Sequence, residues 1–162
     1  MLIVLAFFLA VAVWSGSAVG QPRPLDAKEL AAYQLTRGVF DRFARATRLI
    51  LARTRGDARY ERDPLFTKEI TVFGDALESA AALQTRLETD PVLAGALFAA
   101  DIDAREYSTF AITLFGARLA HGFMKSGALR RVPDGPTAHN VAFVAANEAD
   151  VIALLREMGL ER

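Results

Sequence analysis

Apolar side chains recur every three or four residues along most of the chain, which is the spacing of amphipathic helices. A first helix is predicted to begin at the capping-box sequence of residues 26–29 and to end at Gly56. Residues 66–87 repeat apolar positions in steps of four and three, a pattern typical of a helix-bundle seam. No segment shows sustained alternation of apolar and polar residues. The pattern therefore predicts an all-α fold, a single compact bundle of about five helices.

Residues 104–126 carry apolar side chains on nearly every side of the predicted helix, and a second capping-box sequence at 103–106 begins it. A helix of this kind is buried on several sides, so we expect it to be central and the segment 66–87 to pack on it. Two further helices are predicted at residues 139–146 and 148–158, the second ending at Gly159.

The chain begins with an apolar run at residues 2–14, followed by small residues at 15–20. This pattern is typical of a cleavable signal peptide, and the run is short for a membrane-spanning helix, which needs about 20 apolar residues. No Lys or Arg precedes the run. We therefore expect a signal peptide at 1–20, a single all-α domain at 21–162, and membrane contact only if the segment stays uncleaved.

Composition narrows the functional classes. The 19 basic and 19 acidic residues balance, which argues against a nucleic-acid binder. The segment 37–62 is rich in arginine and the segment 63–106 is rich in acids, so the two could attract each other. Absence of cysteine excludes disulfides and thiol catalysis. Together with the lack of an N-x-[ST] sequon, it favours a bacterial periplasmic or secreted location.

One polar stripe on the predicted central helix is a candidate ligand-binding site, formed by Tyr107, Arg118 and His121. A cation on the apolar helix needs a partner when it is buried, and an acid from residues 63–106 could supply it. The result would be a polar core network or a small anionic-ligand site. In the alternative interpretation, the stripe reaches the surface near the helix C-terminus, where positive charge is favourable.

Glycines inside the predicted helices, such as Gly116 and Gly122, allow the same two interpretations. They permit close helix crossings, or they leave room for a ligand.

The spacing of the other polar residues does not indicate catalysis, metal binding or phosphate binding. The two histidines, His121 and His139, do not form a helical metal-ligand motif. The serines lack a G-x-S-x-G setting, no phosphate-binding glycine loop is present, and the acids at 101–106 lack the glycine of a calcium loop. We therefore expect no catalytic residue, no metal and no cofactor.

Short blocks at residues 33–36, 104–107 and 140–144 resemble exported bacterial helical proteins, a resemblance that implies no particular activity. The pair Leu35 and Thr36 also resembles the L-T-x-x-Q motif of periplasmic stress chaperones. Val39 stands where that motif has glutamine, so a chaperone function is not implied.

These observations favour a non-enzymatic periplasmic binding or interaction module with an unknown protein or small-molecule partner. The alternative is a ligand-binding or hydrolytic helical bundle with an interior site built from Tyr107, Arg118 and His121. The two hypotheses differ in the burial of His121 and in the presence of a cavity beside it.

Overall fold

A computed structural model describes residues 26–65 and 76–161 of the protein. These residues form helices and no β-strand, which confirms the all-α prediction for this part of the chain. The eight helices are α1 (Ala27–Ala32), α2 (Arg37–Thr54), α3 (Ala58–Arg62), α4 (Ala76–Thr89), α5 (Pro91–Ala99), α6 (Ala104–Lys125), α7 (Pro136–Ala146) and α8 (Glu148–Glu157).

The number of helices in the described ranges exceeds the predicted five. Two of the extra helices come from segments predicted to be continuous or irregular, namely the start of the first helix and the loop that contains α3. The predicted signal peptide at 1–20 and the first half of the predicted seam, residues 66–75, lie outside the described residues. In the part of the chain that the structure describes, no helix combines the length and hydropathy required to cross a bilayer.

Side-chain caps begin most of the helices, as the sequence indicates. Asp90 accepts hydrogen bonds from two backbone N–H groups at the start of α5. Asp103 accepts one from the Glu106 N–H at 2.7 Å. The predicted capping box at 103–106 is only half formed, because the Glu106 carboxylate binds the Arg42 guanidinium instead of the Asp103 backbone. Asp57 begins α3 in the same manner.

The first predicted helix is interrupted by an extended segment at residues 33–36. The buried amide of Asn140 in α7 accepts a hydrogen bond from the Leu35 N–H and donates one to the Tyr33 carbonyl, both at 2.8 Å. These contacts satisfy backbone groups that a continuous helix would have satisfied internally. Thr36 then caps α2. A residue more than one hundred positions away therefore divides α1 from α2.

Aromatic side chains form the centre of the core where α2 crosses α6. The ring centroid of Phe43 lies 4.6 Å from that of Tyr107 and 5.0 Å from that of Phe110, within the range of favourable aromatic pairs. Phe40 in turn contacts Phe110 and Phe143 of α7. α6 also packs against α4, α5 and α7.

Burial of α6 ends before the helix does. Residues from Ala104 to Ala117 contribute its buried side chains, whereas Leu119 and Phe123 are 37% and 48% exposed. The helix is thus covered along its first two thirds, and its last turns present apolar side chains to solvent. This exposure differs from the expectation of burial on several sides along the whole length.

We predict that Asn140→Ala destabilises the protein by about 2–4 kcal/mol, because the buried Leu35 N–H and the partly buried Tyr33 carbonyl lose their partner. A fully buried unsatisfied group costs about 1–3 kcal/mol, and a partly buried one costs less. Urea unfolding followed by circular dichroism measures the change. Thr137→Ala, an exposed position on the same helix, is the control and should stay within about 0.5 kcal/mol of the parent. Equal stability of the two variants would mean that Asn140 does not hold the 33–36 segment.

Candidate functional site

Tyr107 belongs to the core and lies far from the other two predicted site residues. Its side chain is fully buried, and its hydroxyl pairs with the Thr47 hydroxyl at 2.8 Å. Burial raises the pKa of Tyr107, so the phenol stays neutral. Fourteen residues of α-helix separate it from His121 by about 21 Å. Tyr107 therefore does not share a site with His121.

Arg118 lies near the surface end of α6 and is paired. Its Nη2 atom is 2.8 Å from Glu161 Oε1, and both side chains are about three-quarters buried. This partner is not one of the acids at 63–106 that the sequence offered. Glu161 reaches Arg118 because the turn after α8 brings residues 160–161 beside α6.

His121 lies one turn beyond Arg118 with its side chain 13% exposed, and faces Glu148 at the start of α8. Its Nε2 atom is 3.6 Å from Glu148 Oε1, which is too far for a hydrogen bond. Lys125 Nζ occupies the same carboxylate oxygen at 2.8 Å. The hydrogen bond from Lys125 is the largest cause that lowers the pKa of Glu148, and the charges of Lys125, His121 and Arg118 add to it.

An apolar groove adjoins Arg118 between the end of α6 and the end of α8. We call it the α6–α8 groove, and its volume is about 280 Å³. Its lining consists of Phe115, Arg118, Leu119, Gly122, Phe123, Leu155, Leu160 and Glu161. His121 lies beside this lining without forming part of it. The structure thus brings Arg118 and the exposed apolar turns of α6 into one surface.

A helix-ending motif positions the α8 side of the groove. Gly159 adopts a φ of +77°, a backbone conformation that favours glycine. The Leu160 N–H donates to the Leu155 carbonyl at 2.9 Å, and the Gly159 N–H donates to the Arg156 carbonyl at 3.0 Å. This is the Schellman arrangement, in which the residue after the glycine packs toward the last helical turn. Leu160 is thereby placed next to Leu155, and Glu161 next to Arg118.

Of the groove residues, the sequence analysis singled out Arg118 and Gly122, and the apolar walls were not identified. The signal was present in two places: the apolar residues Leu119 and Phe123 in the last turns of the 104–126 helix, and the apolar residue Leu160 directly after the helix-ending Gly159. Combining them requires knowing that α8 returns to the end of α6.

A second exposed aromatic lies elsewhere. Phe98 on α5 is 91% exposed and borders a broader groove whose rim carries the acids Glu88, Asp101 and Asp103. Two arginines of α2 reach the same edge: Arg42 binds Glu106, and Arg45 donates to the Ala100 carbonyl. This surface therefore has mixed charge.

The described side chains offer little for catalysis or metal binding. Within residues 26–65 and 76–161, no group of three or more acids and histidines converges as metal ligands would. The hydroxyls of Ser108 and Ser126 each donate to a carbonyl of their own helix. What the site presents is an apolar surface beside a cluster of paired charges.

No protein-family model, no curated protein and no solved structure matches this chain. Functional evidence therefore comes from the groove itself.

We predict that Lys125→Met raises the pKa of Glu148 toward the ordinary carboxyl value, because it removes the largest cause of the lowering. Titration of the side-chain carboxyl by NMR measures the effect. Lys28→Met removes a lysine that does not contribute to the pKa of Glu148 and should leave that pKa unchanged.

The lowered pKa of Glu148 makes the stability of the fold depend on pH. The folded-state pKa of Glu148 lies below its unfolded value, so its ion pair stabilises the fold above the unfolded pKa. This contribution is lost as the pH falls through the folded-state pKa. If the pKa of Glu148 is unchanged in Lys125→Met, the hydrogen bond from Lys125 is not what lowers it.

Proposed function

We propose that this protein is an exported, non-enzymatic binding module whose ligand or partner covers the α6–α8 groove. The main support for this proposal is the exposure of Leu119 and Phe123, at 37% and 48%, beside the apolar walls formed by Leu155 and Leu160. Single exposed apolar side chains are ordinary on protein surfaces. A contiguous apolar groove is more informative, because such surfaces mark binding sites.

A ligand that covers the groove buries apolar surface, and this burial supplies binding free energy without any covalent step. Complete burial of a Leu or Phe side chain contributes about 1.5–3 kcal/mol relative to exposure. Leu119 and Phe123 each retain a sizeable part of that area for a ligand. The groove also rests on a helix that is rigidly packed along its first two thirds, so little ordering is needed before binding.

Support for a non-enzymatic function comes from the polar groups near the groove. The Ser126 hydroxyl donates to the backbone, and His121 faces a carboxylate that Lys125 occupies. Covalent catalysis usually requires a nucleophile within hydrogen-bonding distance of a base. These residues form no such pair, so they do not support the hydrolytic alternative. The ligand-binding alternative keeps one favourable observation, Arg118 at the groove wall.

We expect the purified protein to bind Nile red, a neutral apolar dye, with a blue-shifted emission. Phe123→Ser should weaken this binding by about tenfold, because the exposed part of one aromatic ring contributes on the order of 1.4 kcal/mol. Phe98→Ser is the matched control, since it removes an even more exposed phenylalanine outside the groove. Circular dichroism confirms that both variants fold. Equal losses in the two variants would place the dye elsewhere and contradict the proposed binding surface.

Export is tested separately. The apolar run at 2–14 and the small residues at 15–20 support it. Expressed with its own leader in a bacterium, the protein should appear in the periplasm or the medium with its N-terminus near Val19 or Gln21, as measured by mass spectrometry. Leu9→Arg should block export by interrupting the apolar run, and Leu9→Val should not. A membrane-bound product that retains Met1 would refute cleavage and indicate an anchor.

A further inference from the structure

We propose that the α6–α8 groove binds an anionic single-chain amphiphile, with the alkyl chain along the apolar walls and the anionic head group on Arg118 in place of Glu161. This inference rests on the proposed function and adds the chemical class of the ligand. It is carried by the geometry of Arg118, by the charges around it and by the size of the groove.

The guanidinium of Arg118 lies at the groove wall with hydrogen-bonding capacity to spare. Nη2 binds Glu161, whereas Nε is buried and has no hydrogen-bond partner within residues 26–65 and 76–161. Nη1 lies over Gly122, where a Cβ atom would come within 3.4 Å of it. Gly122 thus leaves room for the guanidinium. Once Glu161 leaves Nη2, the planar guanidinium can bind a carboxylate or phosphate through two hydrogen bonds.

The surrounding charges favour an anion over a cation. Arg118 and Glu161 are the charged residues of the groove lining, while His121, Lys125 and Glu148 lie beyond Arg118, toward the end of α6 and at the start of α8. Lys125 binds Glu148, so displacement of Glu161 leaves that pair intact and exposes the positive charge of Arg118. A cationic head group at the same point would meet Arg118, and like charges repel.

Glu161 is suited to be displaced. It lies beyond α8, and a single hydrogen bond to Arg118 is its described side-chain contact. The preceding residue is anchored by the Leu160 N–H to Leu155 carbonyl bond. The Glu161 side chain can therefore rotate to solvent without moving the apolar walls of the groove. Without a ligand Glu161 neutralises Arg118, and in the bound state an incoming head group does so.

The dimensions favour one alkyl chain. At about 280 Å³, the groove is slightly smaller than the about 300–1,000 Å³ typical of small-molecule sites. Its walls are aliphatic and aromatic, so they can bury the methylenes of an alkyl chain. A single chain fits this volume, whereas a lipid with several chains would leave most of its apolar surface exposed.

The test compares two probes that share a chain and differ in head-group charge, dodecanoate and dodecyltrimethylammonium. The purified protein, with no tag at its C-terminus, is titrated with each below its micellar concentration at pH 8, and displacement of Nile red is followed. Dodecanoate should bind about tenfold more tightly, the scale of one charge-assisted contact.

Two variants test the head-group contact. Arg118→Met keeps much of the apolar stem and should abolish the preference for dodecanoate while Nile red still binds. Glu161→Gln removes the competing carboxylate and should tighten dodecanoate binding several-fold. Arg156→Met, an exposed arginine of α8 outside the lining, is the control and should change neither. If Arg118→Met fails to fold, the result for Glu161→Gln decides.

The outcomes separate this inference from the proposed function. Nile red binding without a preference between the two amphiphiles, or with a preference for dodecyltrimethylammonium, would overturn the anionic-ligand inference and leave the binding groove standing. An unchanged dodecanoate affinity in Glu161→Gln would also overturn it. Failure of Nile red and both amphiphiles to bind would refute the groove itself.

Discussion

Phe43 of α2 packs between Tyr107 and Phe110 of α6, and much of the remaining arrangement depends on this contact. The rings are buried, and their separations of 4.6 and 5.0 Å are those of favourable aromatic pairs. The Tyr107 hydroxyl finds a partner in Thr47, one turn beyond Phe43, so the only polar atom of the cluster is satisfied. Loss of a buried aromatic ring of this kind typically costs about 3–5 kcal/mol.

With α2 and α6 crossed in this way, two ion pairs join α8 to the polar face of α2. Arg37 binds Asp150 at 2.6 Å and Arg48 binds Glu157 at 2.8 Å, at opposite ends of α8. Exposed ion pairs contribute about 0–1 kcal/mol each, so these two do not by themselves hold α8 in place. The buried residues of α8 supply the stabilisation. The outcome is that the end of α8 lies beside the last turns of α6 and forms the groove.

Charge patterns along the sequence were a poor guide to these pairings. The arginine-rich segment 37–62 and the acid-rich segment 63–106 are joined by Arg42, whose Nη2 atom lies 2.9 Å from both carboxylate oxygens of Glu106. Other arginines of α2 bind acids of α8, far along the sequence. An exposed arginine is attracted to any nearby acid, whichever segment of the sequence that acid comes from. The packing of the apolar faces therefore determines which acids lie close enough to pair with it.

The sequence by itself determined the features that depend on neighbours within about four residues. Periodicity specified helices, Asp103 capped the start of α6, and Gly159 ended α8, because each of these hydrogen bonds closes locally. Tertiary structure decided the break at residues 33–36, the partner of Arg118 and the exposure of Leu119 and Phe123. Asn140 lies more than one hundred residues from the segment it holds, and Glu161 lies forty-three positions from Arg118. Contacts of that kind depend on how whole helices pack. That packing cannot be inferred from the polarity of one residue and its near neighbours.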